Sequence, residues 1–189
     1  MKNISRTEQT KNRIIESLIN LMENIPFNKI TMSQIASEAE VNRATIYRIF
    51  DDKYDIIEAK ENQFLEALKS ARGKIDLFSF KQRLNGSSNN LYNILKVIDE
   101  NKRFLNIVIG PNGEQSFLPR FQNFLIKESK EHHEIIKKIL PNVNPKLVEI
   151  YHINAAFGVI VYWIKQDSLT IQEVYNFIQQ YPFTNLQKK

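Results

Sequence analysis

Apolar residues in this chain recur three and four positions apart almost throughout, and no stretch of useful length alternates every second position. That spacing is the signature of helices with one buried face, and it argues against strands. Ile14, Ile15, Leu18, Leu21, Met22 and Ile25 fall on one side of a first helix. Ser5-Arg6-Thr7-Glu8 offers a capping box before it, and Pro26 stops it. Thr31-Met32-Ser33-Gln34 is a second capping box, opening a short helix with Met32, Ile35, Ala36 and Ala39 inward. Asn42 can cap a third helix over 43–49. A fourth is predicted from near Lys53 to about Arg72, with Ile56, Ile57, Phe64 and Leu68 inward and Gly73 at its end.

The second half repeats the style. Gly86-Ser87-Ser88-Asn89-Asn90 reads as a loop leading into a helix over 91–99. Gly110-Pro111-Asn112-Gly113 is a strong breaker. A long helix is predicted over 117–140, with Pro119 in its first turns and Pro141 after it. Asn144-Pro145 caps and opens the next, to about Gln166, and Thr170-Ile171-Gln172-Glu173 boxes a last one to about Gln180. The fold class is all-α, with about nine helices. It divides into an N-terminal three-helix head, 1–68, and a helical body, 69–189.

Composition narrows the class without naming a function. At 42% hydrophobic and 25% charged residues, the 189-residue chain is ordinary for a soluble globular protein. It has no cysteine, which excludes disulfides and thiolate metal sites and fits a reducing cytoplasm. The N-terminus lacks the apolar run of a secretory signal. The most apolar stretch, 153–164, is short of the roughly 18–20 residues of a membrane span and carries Asn154, so it reads as a buried helix with no membrane partner. Net charge is +5, yet the first 72 residues hold 11 Lys/Arg against 11 Asp/Glu. Bulk charge therefore does not establish a nucleic-acid partner; a local pattern must.

Residues 31–50 supply one. Two short helices are joined by Glu40-Val41-Asn42, and Ile35, Ala36, Ala39, Val41, Ile46 and Phe50 give both an apolar side. The small Ala36 and Ala39 allow a close crossing, the wiring of a helix-turn-helix. The second helix turns Arg43, Ala44, Thr45, Tyr47 and Arg48 away from that core, with no acid between Val41 and Phe50. In a major groove an arginine reads guanine edges and a small apolar group meets a thymine methyl. Tyr47 can reach a phosphate oxygen, and Lys53, at the start of the next helix, can hold one with the free N–H groups there. Any all-α protein contains tight helix pairs, and most arginine-bearing faces are simply solvated.

This segment resembles the N-terminal domain of the TetR family of bacterial regulators. The likeness is carried by Thr31, Ile35-Ala36, Ala39, Val41, Thr45, Tyr47, Phe50 and Lys53, with Ile56 following and Arg13-Ile14-Ile15 and Pro26-Phe27 preceding. It implies that Thr31, Tyr47 and Lys53 hold phosphates, that Arg43, Ala44, Thr45 and Arg48 face the groove, and that a dimer docks on a roughly palindromic operator with half-sites about one turn or more apart. Where the family's turn has glycine, this chain has Glu40; a side chain at positive φ costs about 1 kcal/mol and adds a negative charge near DNA.

The resemblance also implies that the body binds an effector and forms the dimer. Arg103-Phe104-Leu105 and Gly110-Pro111-Asn112-Gly113 look like regulators found beside dihydroxyacetone kinase genes. Residues 147–164 are apolar around the whole helix, which calls for cover on every side. Ala155, Ala156, Gly158, Val159, Tyr162 and Trp163, with Phe177 and Tyr181 from the last helix, are the expected faces of a four-helix homodimer interface; the alternative is a central core helix in a monomer. Phe104, Phe117, Phe121 and Phe124 are candidates to line an effector pocket, and Phe78, Phe80 and Tyr92 share their character; plain core is the competing reading. His132 and His133 are neighbours pointing about 100° apart on a helix and His152 stands alone, so no metal site is expected. No phosphate loop or nucleophile–base motif supports an enzyme, and no cofactor is implied. The second rival is a helical sensor or adaptor of the same fold that has lost operator binding.

Overall fold

A computed structural model of the chain describes residues 5–73, 89–128, 133–139 and 141–180. Among them are ten α-helices and no strand: α1 (Arg6–Met22), α2 (Met32–Glu38), α3 (Arg43–Tyr47), α4 (Lys53–Arg72), α5 (Asn89–Glu100), α6 (Lys102–Val108), α7 (Phe117–Glu128), α8 (His133–Ile139), α9 (Pro145–Ile164) and α10 (Ile171–Gln180). A 3-10 turn, Phe27–Lys29, lies between α1 and α2. At least five of these ten starts are set by a side chain just before the helix. Ser5, Thr31, Asn42 and Asn144 each accept a backbone N–H of the helix they precede, and Thr170 exchanges bonds with Glu173. Two predictions differ. The third helix stops at Tyr47, because Arg48 caps it and Phe50 turns inward. A helix not anticipated, α6, follows α5 after the single residue Asn101. The expected helix over 117–140 is described as α7 and α8, and residues 129–132 and 140 lie outside the described residues, as do Gly86, Phe78, Phe80 and Tyr181.

The chain packs as two compact units, Met1–Phe64 with Arg103–Phe117, and Leu65–Lys102 with Leu118–Lys189. The first therefore takes in a segment that a head of 1–68 leaves out. Its core is Ile14, Leu18 and Met22 of α1, Ile35, Ile46 and Ile56, all essentially inaccessible. Phe64 of α4 joins Phe104 and Phe117 in a closed ring cluster, with centroids 5.9 to 6.4 Å apart. The Phe27 N–H donates to Asn112 O at 2.8 Å, so the breaker loop is hydrogen-bonded to the start of the 3-10 turn. Gly113 is obligatory there: a Cβ would stand 1.9 Å from Val108 O. On the surface Arg103 donates to Glu23 Oε1 (2.7 and 2.9 Å) and to Asn20 Oδ1 (2.7 Å), tying α6 to α1. The pair is exposed, so it contributes about 1 kcal/mol at most.

In the second unit α10 packs on α5, with Tyr92 edge-on to Tyr175, and α9 packs on α8 and α10. Phe121 of α7 meets Phe157 of α9 at 5.5 Å. The cover expected around α9 is only partly supplied by its own unit. Glu149, Ile160, Trp163 and Ile164 are buried, while Leu147, Tyr151 and Tyr162 are 65%, 68% and 60% exposed. At 20 residues α9 is long and apolar enough to cross a membrane by length and composition, so the shortness argued from 153–164 does not hold for the whole helix. Partway along it Asn154 accepts a hydrogen bond from Gln122 of α7 at 2.6 Å.

Burial also holds the His152 imidazole below its ordinary value of 6.5. The folded chain then binds fewer protons than the unfolded one between the lowered value and 6.5. Stability is full above that window and is lost as pH falls through it. The thermal midpoint is expected to drop between about pH 7 and pH 5, and His152→Leu is expected to flatten part of that drop. Melts of both chains at the two pH values check this; an identical pH dependence would remove His152 as the cause.

Candidate nucleic-acid interface

The geometry begins at Thr31. Its hydroxyl accepts from Gln34 N–H (3.3 Å) while the Gln34 Oε1 accepts from Thr31 N–H (2.9 Å), so α2 starts at a defined residue with an exposed hydroxyl. Ile35, Ala36 and Ala39 are buried beneath it. α2 ends in a double bond pair: Glu40 N–H donates to Ser37 O and Val41 N–H to Ala36 O, both 3.1 Å. That is a Schellman ending, which needs a left-handed residue after the cap. Glu40 takes it, with φ +51°, the lone non-glycine at positive φ among the described residues. The strain expected from the sequence is thus present. Glu40→Gly is expected to raise stability by about 1 kcal/mol, read as a rise in the chemical-denaturation midpoint at unchanged slope. No gain would mean that the glutamate side chain has a compensating contact.

Asn42 Oδ1 accepts from Ala44 N–H at 2.8 Å and starts α3. Ile46 and Phe50 are buried and fix the helix on the core. Its other side is solvent: Arg43, Ala44 and Arg48 are exposed, Tyr47 is 45% exposed and Thr45 is half-buried. Arg43 Nη2 donates to Tyr47 Oη at 3.2 Å, with the guanidinium 5.4 Å from the ring centre. This stack holds the arginine outward and limits its rotamers before any ligand arrives. Four of the seven residues proposed from sequence are therefore grouped on α3, and a fifth, Arg48, caps it. One cation was missed: Lys11 of α1 stands 5.8 Å from the Phe50 ring, next to the end of α3. Thirty-nine positions of separation leave no local signal for that.

Lys53 departs from the expectation. Its Nζ donates to Phe27 O (2.8 Å), Asn28 O (2.9 Å) and Ile30 O (2.9 Å), which uses all three ammonium donors. The start of α4 is also occupied. Asp52 Oδ1 accepts from Tyr54 and Asp55 N–H at 2.8 and 2.9 Å, and Asp55 accepts from Asp51 N–H. The start of α4 is thus filled by a carboxylate and the Lys53 ammonium is held by the turn before Thr31, a placement that differs from the phosphate-facing one the resemblance implies.

Of the expected dimer residues, Ala155, Gly158, Tyr162 and Phe177 are exposed, Ala156 and Val159 are half-buried, and Tyr181 lies outside the described residues. Ala155, Gly158 and Tyr162 share one stripe of α9 with Leu147 and Tyr151, and a Cβ on Gly158 would meet nothing within 4 Å. Trp163 is corrected. It is fully buried in its own unit, its Nε1–H donates to Leu169 O at 2.9 Å, and Lys102 lies over its ring. The pocket candidates separate: Phe104 and Phe117 are closed core in the first unit, whereas Phe121 and the half-buried Phe124 belong to the second. The four candidates are thus divided between the two units.

Residues 14–59 match the family model described as bacterial regulatory proteins, tetR family. The chain is 26% identical over 173 residues to the HTH-type transcriptional regulator YxbF of Bacillus subtilis, covering 88% of this chain and 42% of that protein. It is 27% identical over 128 residues to the HTH-type dhaKLM operon transcriptional activator DhaS of Lactococcus lactis, covering 66% and 63%. The chain thus spans less than two thirds of either relative. In fold it is similar to a putative TetR-family regulator of Syntrophomonas wolfei, with a TM-score of 0.74 at 16% identity, over 95% of this chain and 96% of that one.

Proposed function

We propose, from the premise that this chain belongs to the tetR family of bacterial regulatory proteins, that it binds a double-stranded DNA operator as a homodimer and acts as a ligand-responsive transcriptional repressor in the cytoplasm. The family is one of regulators, not enzymes. The observation that carries the reading is α3: an acid-free, five-residue helix anchored by Ile46, with Arg43, Tyr47 and Arg48 facing solvent. Thr31, Ala44 and Thr45 complete the proposed contact set. A second reading, activation rather than repression, is favoured by the name of the DhaS relative, an operon activator.

The homodimer is supported by the uncovered stripe of α9 and by exposed Phe177 on α10. Large contiguous apolar faces on a soluble chain mark association surfaces. Tyr162→Glu places a charge in the stripe and is expected to raise the dimer dissociation constant at least about tenfold, read by sedimentation equilibrium. A variant that associates like the parent moves the interface elsewhere. The effector is a small molecule held among the second unit's helices, with Phe121 and Phe124 as the candidate ring contacts. Binding shifts α4, whose residues are divided between the two units, and changes the spacing of the paired recognition helices. This requires unequal affinity for the two arrangements.

The test is anisotropy with DNA from upstream of the chain's own gene against random DNA, at two salt concentrations. Tight, salt-steep and selective binding supports the regulator. Equal, weak binding to both would favour an adaptor that keeps the fold, with Glu40 as its mark.

A further inference from the structure

We propose that Lys53 is a positioning residue of the DNA-binding head: caged by three carbonyls of the turn before Thr31, it sets the place of that hydroxyl and of the start of α2. The inference rests on the operator-binding reading and deepens it. The Phe27–Lys29 turn closes with only two bonds of its own, Lys29 N–H to Pro26 O and Ile30 N–H to Phe27 O. Its carbonyls at Phe27, Asn28 and Ile30 converge on one point, and the Lys53 Nζ occupies it at 2.8 to 2.9 Å. The Phe27 and Tyr54 rings close the sides, 5.1 and 5.7 Å from the ammonium. The residue after Ile30 is Thr31, whose hydroxyl caps α2. Holding Ile30 O therefore fixes the peptide plane that leads directly into the cap.

The choice of lysine is itself informative. Three carbonyls meeting from different directions match a compact ammonium with three tetrahedral donors. A guanidinium is a flat fork suited to phosphate and carboxylate. At a phosphate contact an arginine keeps the charge and the counterion release; in this cage its flat fork does not match the three carbonyls. Burial also lowers the Lys53 pKa despite the opposing field of Asp52, as expected for an ammonium partly withdrawn from water.

The test compares wild type, Lys53→Met and Lys53→Arg. Amide hydrogen exchange needs no DNA. The Lys29, Ile30 and Gln34 amides are expected to exchange at least about tenfold faster in both variants, while those of Arg48 and Phe50 stay unchanged. Wild-type rates at those three amides in either variant would overturn the cage, and should Lys53→Met fail to fold, Lys53→Arg carries the comparison. On DNA that the wild type binds, both variants are expected to lose affinity about tenfold with an unchanged salt slope. Thr31→Val is expected to cost less in the Lys53→Met background than alone, a coupling that general destabilisation does not produce. A salt slope lower by about 0.9 in Lys53→Met, restored by Lys53→Arg, would make Lys53 a phosphate contact and overturn the proposal. If the wild type selects no DNA, it is the operator reading that fails, and the amide rates alone decide the cage.

Discussion

Phe117→Ala is expected to destabilise the first unit by about 3–5 kcal/mol, a large part of a typical domain's total stability. Phe117 is 1% exposed and meets both Phe64 and Phe104, so its removal leaves a void that two rigid rings cannot fill. The same packing bears on where the head ends. A chain cut after residue 68 keeps Phe64 but loses both ring partners, and it loses the Asn112 carbonyl that receives the Phe27 N–H. Such a fragment is expected to show no cooperative unfolding transition at 25 °C, whereas the full chain shows one. Circular dichroism through a urea titration checks both. A 1–68 fragment that melts cooperatively near the full chain's midpoint would show that 103–117 is dispensable.

Arg43→Ala is expected to weaken operator binding by about 1–3 kcal/mol, roughly 5- to 150-fold. The salt dependence says which kind of contact is lost. An arginine reading base edges leaves the slope nearly unchanged and relaxes preference at one position, while a phosphate contact lowers the slope by about 0.9. Because Arg43 is stacked on Tyr47 and hydrogen-bonded to its hydroxyl, the two residues act together. Tyr47→Ala is expected to reduce the effect of Arg43→Ala, since the arginine has already lost its support. Strict additivity, or full affinity in Arg43→Ala, would remove the stack from the recognition surface.

Much of this arrangement is legible along the chain. The caps at Ser5, Thr31, Asn42, Asn144 and Thr170 lie where their side chains reach an N–H two or three residues on. The need for a left-handed residue at Glu40 is also local, because a Schellman ending involves only the last turn of α2 and two residues beyond it. The outward set on α3 follows from its two buried anchors. α6 was not legible: it has seven residues and follows α5 with only Asn101 between, so the apolar pattern of 91–108 reads through without a break.

The two site residues read differently from the sequence, Lys53 and Trp163, share a cause. Each has a side chain whose ordinary use is well known, phosphate binding for one and an interface for the other. Each is diverted by carbonyls that its own backbone does not supply: Lys53 by groups 23 to 26 positions earlier, Trp163 by Leu169 beyond the end of α9. Phe104 and Phe117 take the core placement that the sequence left as the competing reading, closing a ring cluster with Phe64.

The amino-acid order by itself determined the all-α class, nearly every helix start, the strained turn and the residues that α3 presents to solvent, because those depend on contacts within three or four positions. Tertiary structure alone decided that 103–117 belongs with the head, that the Lys53 ammonium is spent on a turn, and that α9 leaves one stripe uncovered. Those outcomes turn on which distant donor, acceptor or ring arrives at a given point, and periodicity along a helix carries no information about that.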